Sequence, residues 1–307
     1  MEERPPRVTR QRTGTSPAAR ALAVVGGLIL GIGVLAAIAF AIVGRGDGGS
    51  SPETTAATAT GPPPKPVLRI VFPEGFTIDE MAQRVKAVNK IAEDKRKITP
   101  KLKPRQYARI GHEKSKPPQG FEHEGRVASL EGFLFPATYD FTEDTTTREL
   151  IAKQEDAFIR AWSQLDLRYS KSKNLTSYDV LIIASMIEKE VQVPKERALV
   201  AAVIYNRLRA QMPLGIDATI RYGFDIPPTE PIQPSQLESD NPYNTRKIAG
   251  LPPTPIANPG LASLQAAAHP AKVDYLFFVR KPDCKSHFFT ASEAEFNAYP
   301  RGGLNCG

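Results

Sequence analysis

Cysteine and histidine are scarce in this chain of 307 residues, and their positions argue against a metal site. The cysteines are Cys284 and Cys306, and the four histidines are scattered without ligand spacing among themselves or towards the cysteines. Structural and catalytic zinc sites need several such side chains at characteristic spacings. The sequence therefore predicts neither a metal site nor a cofactor.

Two motifs that mark common enzyme classes are also absent. The chain has no G-x-S-x-G sequence, which places a serine nucleophile on a sharp strand-to-helix turn. It also lacks a glycine-rich loop of the kind that cradles phosphate groups. These absences argue against a serine hydrolase of that type and against a nucleotide-binding enzyme.

Charge is missing from one long stretch near the N-terminus. Ala21–Val43 contains no charged or polar side chain and is long enough to span a bilayer. A cleaved signal peptide is the alternative, but its apolar core would be shorter. The five arginines of residues 1–20 predict a cytoplasmic basic tail, with the chain from Gly44 onward outside the cell membrane. We therefore expect a single-pass membrane protein, and an external location permits a Cys284–Cys306 disulfide.

Residues 44–66 are rich in Gly, Ser, Thr, Ala and Pro and have few hydrophobic side chains. Such a segment cannot bury a core, and we predict a flexible, disordered linker. Residues 67–128 then predict a small α+β unit. Its strand is Val67–Phe72, and Thr77 with Glu80 has the spacing of a capping box at the start of a short amphipathic helix.

Basic residues dominate part of this small unit. Residues 81–120 hold twelve Lys or Arg against three Asp or Glu, which is an excess of nine positive charges. We expect Lys95–Lys116 to be a solvated loop. The functional alternative is attraction to anionic lipid or anionic wall polymer. Nucleic acid is excluded as a partner because this part of the chain is predicted to lie outside the cell.

The larger part of the chain, residues 129–307, is organised around the apolar run Leu181–Glu190. Thr176 and Asp179 precede it at capping spacing, and Pro194 ends any helix soon after. We predict a helix of about three to four turns. Further predicted elements are an aromatic-rich turn or strand at Leu130–Pro136, a helix from the Thr146 and Glu149 capping box to Trp162, a helix at Lys195–Leu208, a helix from the Asn258–Pro259 cap to His269, and a hairpin of Tyr275–Val279 with Ser286–Phe289.

Two carboxylates end the central helix, and they lie on different faces of it. Glu190 shares the more apolar face with Ile183, Met186 and Ile187, whereas Glu188 shares a face with residues such as Ser185. Both could simply form the solvated end of an amphipathic helix. Alternatively, Glu190 is partly desolvated, which would raise its pKa and suit a general acid.

Seven short motifs occur in one order from Glu131 onward, and the resemblance that they carry covers roughly Val67 to Phe289 and is strongest from Leu130. Together they resemble the endolytic murein transglycosylase family (MltG, YceG-like). Arg246 and Thr254 depart from the pattern, because the family commonly has an aromatic residue and a glycine at these positions. The motifs are E-G-F-L-F-P-A-T-Y, A-S-M-I-E-K-E, R-x-x-V-A-A-V-I-Y-N-R-L, D-A-T-I-x-Y-G, Y-N-T, G-L-P-P-x-P-I-x-N-P-G and A-A-x-H-P.

The resemblance implies an α+β protein with a membrane anchor, a LysM-like subdomain at 67–128 and a mixed α/β catalytic subdomain at 129–307. It implies a lyase that cuts the glycan strands of peptidoglycan beside the membrane and ends strand elongation, in contact with wall-synthesis proteins. The catalytic residue is then the second glutamate of E-K-E, Glu190. The glycosidic bond between N-acetylmuramic acid and N-acetylglucosamine would be replaced by a 1,6-anhydro ring without consuming water.

Five further residues are predicted to bind the sugar or to orient Glu190. Asn and Asp also serve loops and turns routinely, so a purely structural role is the alternative. Two other functions stay open: a peptidoglycan hydrolase that uses Glu190 with Asp217 or Glu188, and a non-catalytic glycan-binding scaffold. The predicted substrate-binding residues are Glu131, Asp217, Thr219, Tyr243 and Asn244.

Overall fold

The computed structural model describes residues 65–113, 118–121, 125 and 127–300, which all fall within one compact unit, Pro62–Gly307. The predicted tail, the predicted membrane helix at 21–43 and almost all of the predicted linker lie outside these residues. So does Cys306, and the predicted disulfide stays a prediction. Among the helices that the structure describes, none is both long and apolar enough to cross a bilayer.

The described residues fold into helices and two small antiparallel sheets, which confirms the predicted α+β class. In chain order the elements are β1 (Leu68–Val71), α1 (Ile78–Arg96), α2 (Pro104–His112), β2 (Thr138–Phe141), α3 (Thr147–Trp162), α4 (Arg168–Lys171), α5 (Ser177–Glu190), α6 (Arg197–Arg209), α7 (Asp217–Gly223), α8 (Pro234–Leu237), α9 (Leu261–Ala268), β3 (Phe277–Arg280), β4 (His287–Thr290) and α10 (Glu293–Ala298).

A small hydrophobic cluster forms around β1, α1, α2 and β2. Strand β1 pairs antiparallel with β2, so that Leu68 lies opposite Phe141. Alternate residues of β1 face inward, as expected for a half-buried strand. Helix α1 begins with the predicted Thr77 and Glu80 capping box, although it continues to Arg96 and is not short.

The basic segment Lys95–Lys116 is not a continuous solvated loop, and that prediction was wrong. Pro104–His112 forms α2, whose Tyr107 and Ile110 are buried in the small cluster. The two apolar residues lie three positions apart and share a face. The cationic side chains between and around them point to solvent on the other faces of the helix. Their number made the composition of the segment typical of a solvated loop.

The small cluster also includes residues beyond the predicted boundary at 128/129. Leu130, Leu134 and Leu150 are buried in it, and β2 pairs with β1 across the boundary. The turn at Leu130–Pro136 is thus part of the core and does not continue as a strand. The LysM-like character of the small unit stays a prediction.

The large cluster is built around α5. Its N-cap is Thr176, which forms the predicted capping box with Asp179. Every side chain from Tyr178 to Ile187 is buried, against α6 and α9 among others. A helix that is apolar on all sides belongs in a core. The alternative of an amphipathic helix with a solvated end therefore does not hold, because α5 is buried on all sides from Tyr178 to Ile187.

The loop before α9 also differs from the prediction. The N-cap of α9 is Gly260, and the Asn258–Pro259 pair does not cap the helix. The Asn258 side chain is used across the fold instead: its Oδ1 accepts hydrogen bonds from the amides of Gly132 (3.0 Å) and Leu134 (2.9 Å). Those partners lie more than 120 residues away in the chain, so the local pattern could not indicate them.

The predicted C-terminal hairpin is present, shifted by one or two residues. Strand β3 pairs antiparallel with β4, and Arg280 lies opposite His287. His287 Nδ1 lies 2.7 Å from Glu196 Oε2, and both side chains are almost fully buried. This contact holds the hairpin against the turn that follows α5, so that β3 faces the end of that helix.

Candidate functional site

A cleft of about 1110 Å³ lies beside the C-terminal end of α5. The start of α1, the turn at Glu131, helix α7, the 225–228 loop and the β3–β4 hairpin form its walls. Charged side chains of both signs line it. They are Asp79, Glu80, Glu131, Lys189, Glu190, Arg207, Asp217, Arg221, Asp225, Arg246 and Arg280.

Glu190, the last residue of α5, is half-buried in the wall of this cleft. Burial, together with the negative charge of Asp217, raises the pKa of Glu190 to about 7. The charges of Arg280 and Arg246 and a hydrogen bond from the Ala218 amide act in the opposite direction. Near neutral pH the carboxyl is therefore present in both forms, so it can donate a proton and take one back.

Glu188, two positions earlier, has a different environment and does not line the cleft. Its Oε2 accepts a hydrogen bond from the amide of Gly260, the N-cap of α9, at 3.0 Å. A carboxylate is favoured at a helix N-terminus by the unpaired amides and the helix dipole. Lys189 between the two glutamates donates to the carbonyl of Gly75 at 3.1 Å. Of the two carboxylates, only Glu190 therefore faces the cleft.

Asp217 and Arg246 form an ion pair in the cleft wall, with Arg246 Nε 2.6 Å from Asp217 Oδ1. Both side chains are about half exposed. Asp217 is the first residue of α7, and Arg246 follows the Y-N-T motif. Arg246, which departs from the family pattern at this position, thus positions the Asp217 carboxylate, and the charge of that carboxylate raises the pKa of Glu190.

Glu131 was predicted to bind substrate, and the structure places it at a buried junction next to the cleft. Only 1 % of its surface is exposed. Its carboxyl accepts hydrogen bonds from the Ile78 amide (3.3 Å), the Tyr222 hydroxyl (3.2 Å) and Asn258 Nδ2 (2.8 Å). Burial raises the pKa of Glu131 to about 8, so it is mainly neutral at pH 7. Its hydrogen bonds join α1, α7 and the loop before α9.

Three other predicted substrate-binding residues do not line the cleft. The Thr219 hydroxyl is buried and donates to the Ile216 carbonyl at 2.7 Å. Asn244 is also buried, and its Nδ2 donates to the backbone carbonyls of Leu237, at the end of α8, and of Ser239. The Tyr243 hydroxyl lies 2.8 Å from Thr254 Oγ1, so the threonine that replaces the common glycine has a structural partner. In this structure all three hold loops behind the cleft wall.

Tyr222 and Arg280 are among the cleft residues that the prediction from sequence missed. Tyr222 lies within the D-A-T-I-x-Y-G motif, but its spacing from Asp217 does not by itself predict that both side chains line one cleft. Arg280 follows the predicted strand directly, and a charged residue at the end of an otherwise apolar strand was the available signal. Their positions depend on tertiary contacts with segments that are distant in the chain.

Comparison with known proteins identifies relatives of this chain. The family model described as the YceG-like family matches residues 48–301. Over 156 residues the chain is 40% identical to the endolytic murein transglycosylase of Bacillus subtilis (strain 168), which covers 50% of this chain and 42% of that protein. Over 237 residues it is 36% identical to the endolytic murein transglycosylase of Streptococcus pneumoniae (strain R6), with 72% and 42% covered.

The aligned part of the chain thus spans less than half the length of these two relatives. Among solved structures, the chain is similar to a yceG-like protein from Listeria monocytogenes, with 29% sequence identity and a TM-score of 0.60. That likeness covers 75% of each chain. The similarity therefore extends from the sequence to the fold.

Proposed function

This chain belongs to the YceG-like family, and we propose that it is an endolytic lytic transglycosylase that acts on the glycan strands of peptidoglycan. The observation that carries the proposal is the half-buried Glu190, whose pKa is raised to about 7 in the wall of an open cleft. The names of its curated relatives in Bacillus subtilis and Streptococcus pneumoniae support the same reaction.

In the first step, protonated Glu190 donates its proton to the glycosidic oxygen between N-acetylmuramic acid and N-acetylglucosamine. The bond from that oxygen to C1 of the muramyl residue breaks, and positive charge develops at the ring. The carboxylate of Asp217, close enough to act on Glu190, favours this charge. The N-acetylglucosamine end leaves as an alcohol.

In the second step, Glu190 is ionised and takes the proton from the muramyl 6-hydroxyl while that oxygen bonds to C1. The product is a 1,6-anhydro end, Glu190 regains its proton, and no water is consumed. One carboxyl group serves both steps because the nucleophile belongs to the substrate. A pKa near 7 suits a group that must act as an acid and then as a base.

A hydrolase is the second candidate, because the charge of Asp217 acts directly on Glu190. Hydrolysis requires a second carboxylate to activate water or to attack C1. Asp217 is already engaged by Arg246, whose Nε lies 2.6 Å from Asp217 Oδ1, so the carboxylate is not free to activate water or to attack C1. Glu188 is a poor alternative because it is directed to the start of α9. The geometry therefore favours the reaction with one carboxyl group.

The deciding experiment is mass analysis of uncrosslinked polymeric glycan after incubation with the full chain. Short products with 1,6-anhydro ends are expected, and their loss in a Glu190→Gln variant would assign the reaction to this cleft. Reducing ends would instead indicate hydrolysis. Glycan that is bound but never shortened would indicate the non-catalytic scaffold.

We also propose the arrangement in which this reaction would take place. Ala21–Val43 anchors the chain in the cell membrane, residues 1–20 lie in the cytoplasm, and the small unit at 67–128 is LysM-like and contacts glycan near wall-synthesis proteins. The charge-free run behind five arginines supports this topology. Protease added to intact spheroplasts should remove the domain that follows Gly44. Complete protection of that domain would contradict the topology.

A further inference from the structure

Five cationic side chains line the cleft, and four of them are already engaged by the protein. Lys189 donates to the Gly75 carbonyl, Arg207 to the carbonyls of Leu276 and Leu214, and Arg221 to those of Pro227 and Glu230. Arg246 is paired with Asp217. The fifth is Arg280, whose side chain has neither a hydrogen bond nor an ion pair to any residue that the structure describes.

Arg280 is held at a defined position although its side chain has no partner among the described residues. It is the last residue of β3, opposite His287, and the buried Glu196 contact of His287 anchors the hairpin. The Arg280 side chain is half-buried in the cleft wall. A guanidinium group that is partly removed from water without a counterion destabilises a protein, because its hydration is lost and not replaced.

No carboxylate of the cleft is paired with Arg280 in the part of the chain that the structure describes. The charge of Arg280 acts on Glu190, but the two side chains do not form an ion pair. Glu190 must also be protonated when the reaction begins. Asp217 is engaged by Arg246, and buried Glu131 is mainly neutral. The free guanidinium is therefore available to an anion that arrives with the substrate.

We infer that Arg280 recognises a carboxylate carried on the 3-O-lactyl branch of the muramyl residue whose glycosidic bond Glu190 cleaves. This inference rests on the proposed function. The N-acetylglucosamine residue and the sugar rings themselves carry no charge, so the lactyl branch is the source of negative charge beside the scissile bond. The carboxylate is either that of a free lactyl group or one on an attached stem peptide. An arginine pairs with a carboxylate through two parallel hydrogen bonds.

A residue that only tuned the pKa of Glu190 would behave differently. Its effect would depend on the presence of the Glu190 carboxyl, and it would change the pH dependence of cleavage without distinguishing charged from neutral glycans. Recognition of a substrate carboxylate should persist when Glu190 is replaced. It should also disappear when the substrate carboxylate is neutralised.

The experiment measures glycan binding by calorimetry to the full chain carrying Glu190→Gln, with and without Arg280→Gln. The three ligands are oligosaccharides of equal length with free lactyl carboxylates, with stem peptides, or with amidated, neutral lactyl groups. Arg280→Gln should weaken binding of at least one acidic ligand about tenfold or more, the effect of losing a charged hydrogen bond, and leave the neutral ligand unchanged. The acidic ligand that is affected identifies the carboxylate.

Arg280→Lys and Lys189→Gln are the matched variants, and thermal melts confirm that each is folded. The lysine at 280 keeps the charge and should restore part of the affinity. Lys189→Gln removes the same charge from the same cleft and should not distinguish acidic from neutral ligands. Equal weakening of all three ligands by Arg280→Gln, no weakening, or no binding of any acidic ligand would overturn the inference. Discrimination in binding without anhydro products from the wild-type chain would retain it and reject the proposed reaction.

Discussion

Glu131 and Glu190 line the same cleft, and both have a raised pKa, yet their surroundings differ. Glu131 is 1 % exposed and accepts hydrogen bonds from a backbone amide, a tyrosine hydroxyl and an asparagine amide. Glu190 is half-buried at the end of a helix. The charged side chains of Asp217, Arg246 and Arg280 act on it, and a backbone amide donates a hydrogen bond to it. A raised pKa alone therefore does not identify an acid catalyst. Glu190 differs from Glu131 because its carboxyl group is not held by a set of hydrogen-bond donors from the described residues and is open to the cleft.

The largest expected effect comes from Glu190→Gln, which keeps the side-chain volume and removes the titratable proton. We expect the release of anhydro-ended oligosaccharides to fall by about 10²–10⁴-fold or more, the range for loss of general acid–base catalysis. Helix α5 should persist because Gln and Glu have similar helix propensities. Product analysis by mass spectrometry, with thermal melts in parallel, provides the measurement.

Glu188→Gln is the matched control for that variant, because it makes the same change two residues away outside the cleft. The Gln oxygen can still accept from the Gly260 amide, so most activity should remain. Near wild-type cleavage by Glu190→Gln together with an inactive Glu188→Gln would show that the wrong carboxylate had been chosen. If both variants cleaved normally, the catalytic role of this helix end would be excluded.

The second prediction concerns Glu131→Ala, which should destabilise the fold more than it affects the reacting atoms. The Ile78 amide, the Tyr222 hydroxyl and Asn258 Nδ2 would each lose the oxygen to which they donate. We expect the free energy of unfolding to fall by about 2–4 kcal/mol, and by less for Glu131→Gln, which retains one acceptor oxygen. Urea unfolding at pH 7 measures both. Equal stability of Glu131→Ala and the wild type would mean that the junction contributes little.

The third prediction is a pH-dependent stability change in Glu190→Gln. The pKa of Glu190 is raised from 4.5 to about 7 on folding, so the group favours the folded state fully below pH 4.5 and loses this contribution as the pH rises through 7. The neutral Gln avoids that loss. The variant should match the wild type near pH 4 and exceed it at pH 8, by at most about 3 kcal/mol. Melting temperatures across this range test it, and a constant difference would contradict it.

The smallest expected effect is a shift in the pH profile of Asp217→Asn. Cleavage by the wild type should decline above about pH 7, where Glu190 loses the proton needed for the first step. The charge of Asp217 raises the pKa of Glu190, and its removal also releases Arg246, whose charge lowers that pKa. The decline should therefore move to lower pH. A profile of kcat/KM against pH measures this, and a shift to higher pH would contradict the electrostatic assignment.

The features that could be predicted from the sequence are those that depend on neighbouring residues. The capping boxes at Thr77, Thr146 and Thr176 rest on contacts three residues apart, and all three are present. Helical spacing along α5 gave the desolvation of Glu190 as one of two alternatives, and the motifs further along the chain favoured it. Local contacts of this kind leave regular patterns that can be recognised without knowledge of the fold.

Contacts between distant segments could not be predicted in the same way. The pairing of Leu68 with Phe141 leaves no local signal, and neither does the contact of Arg246 with Asp217. Asn258 has the residue type of a helix cap at the correct position, yet its side chain binds segments far away in the chain. Glu131, Thr219 and Asn244 stood in recognisable motifs whose polar side chains turned out to hold the fold together.

Asn258 has a mechanical consequence for the way in which the cleft can work. Its backbone and side chain make six hydrogen bonds, to Gly75, Phe76, Glu131, Gly132 and Leu134, at the seam between the small and large clusters. Swinging one cluster away from the other would break several of these bonds at once and leave buried groups without partners, at about 1–3 kcal/mol each. The small cluster, and with it the cleft walls at the start of α1 and at Glu131, is thus held in a fixed relation to the large cluster without any covalent cross-link between the two among the described residues.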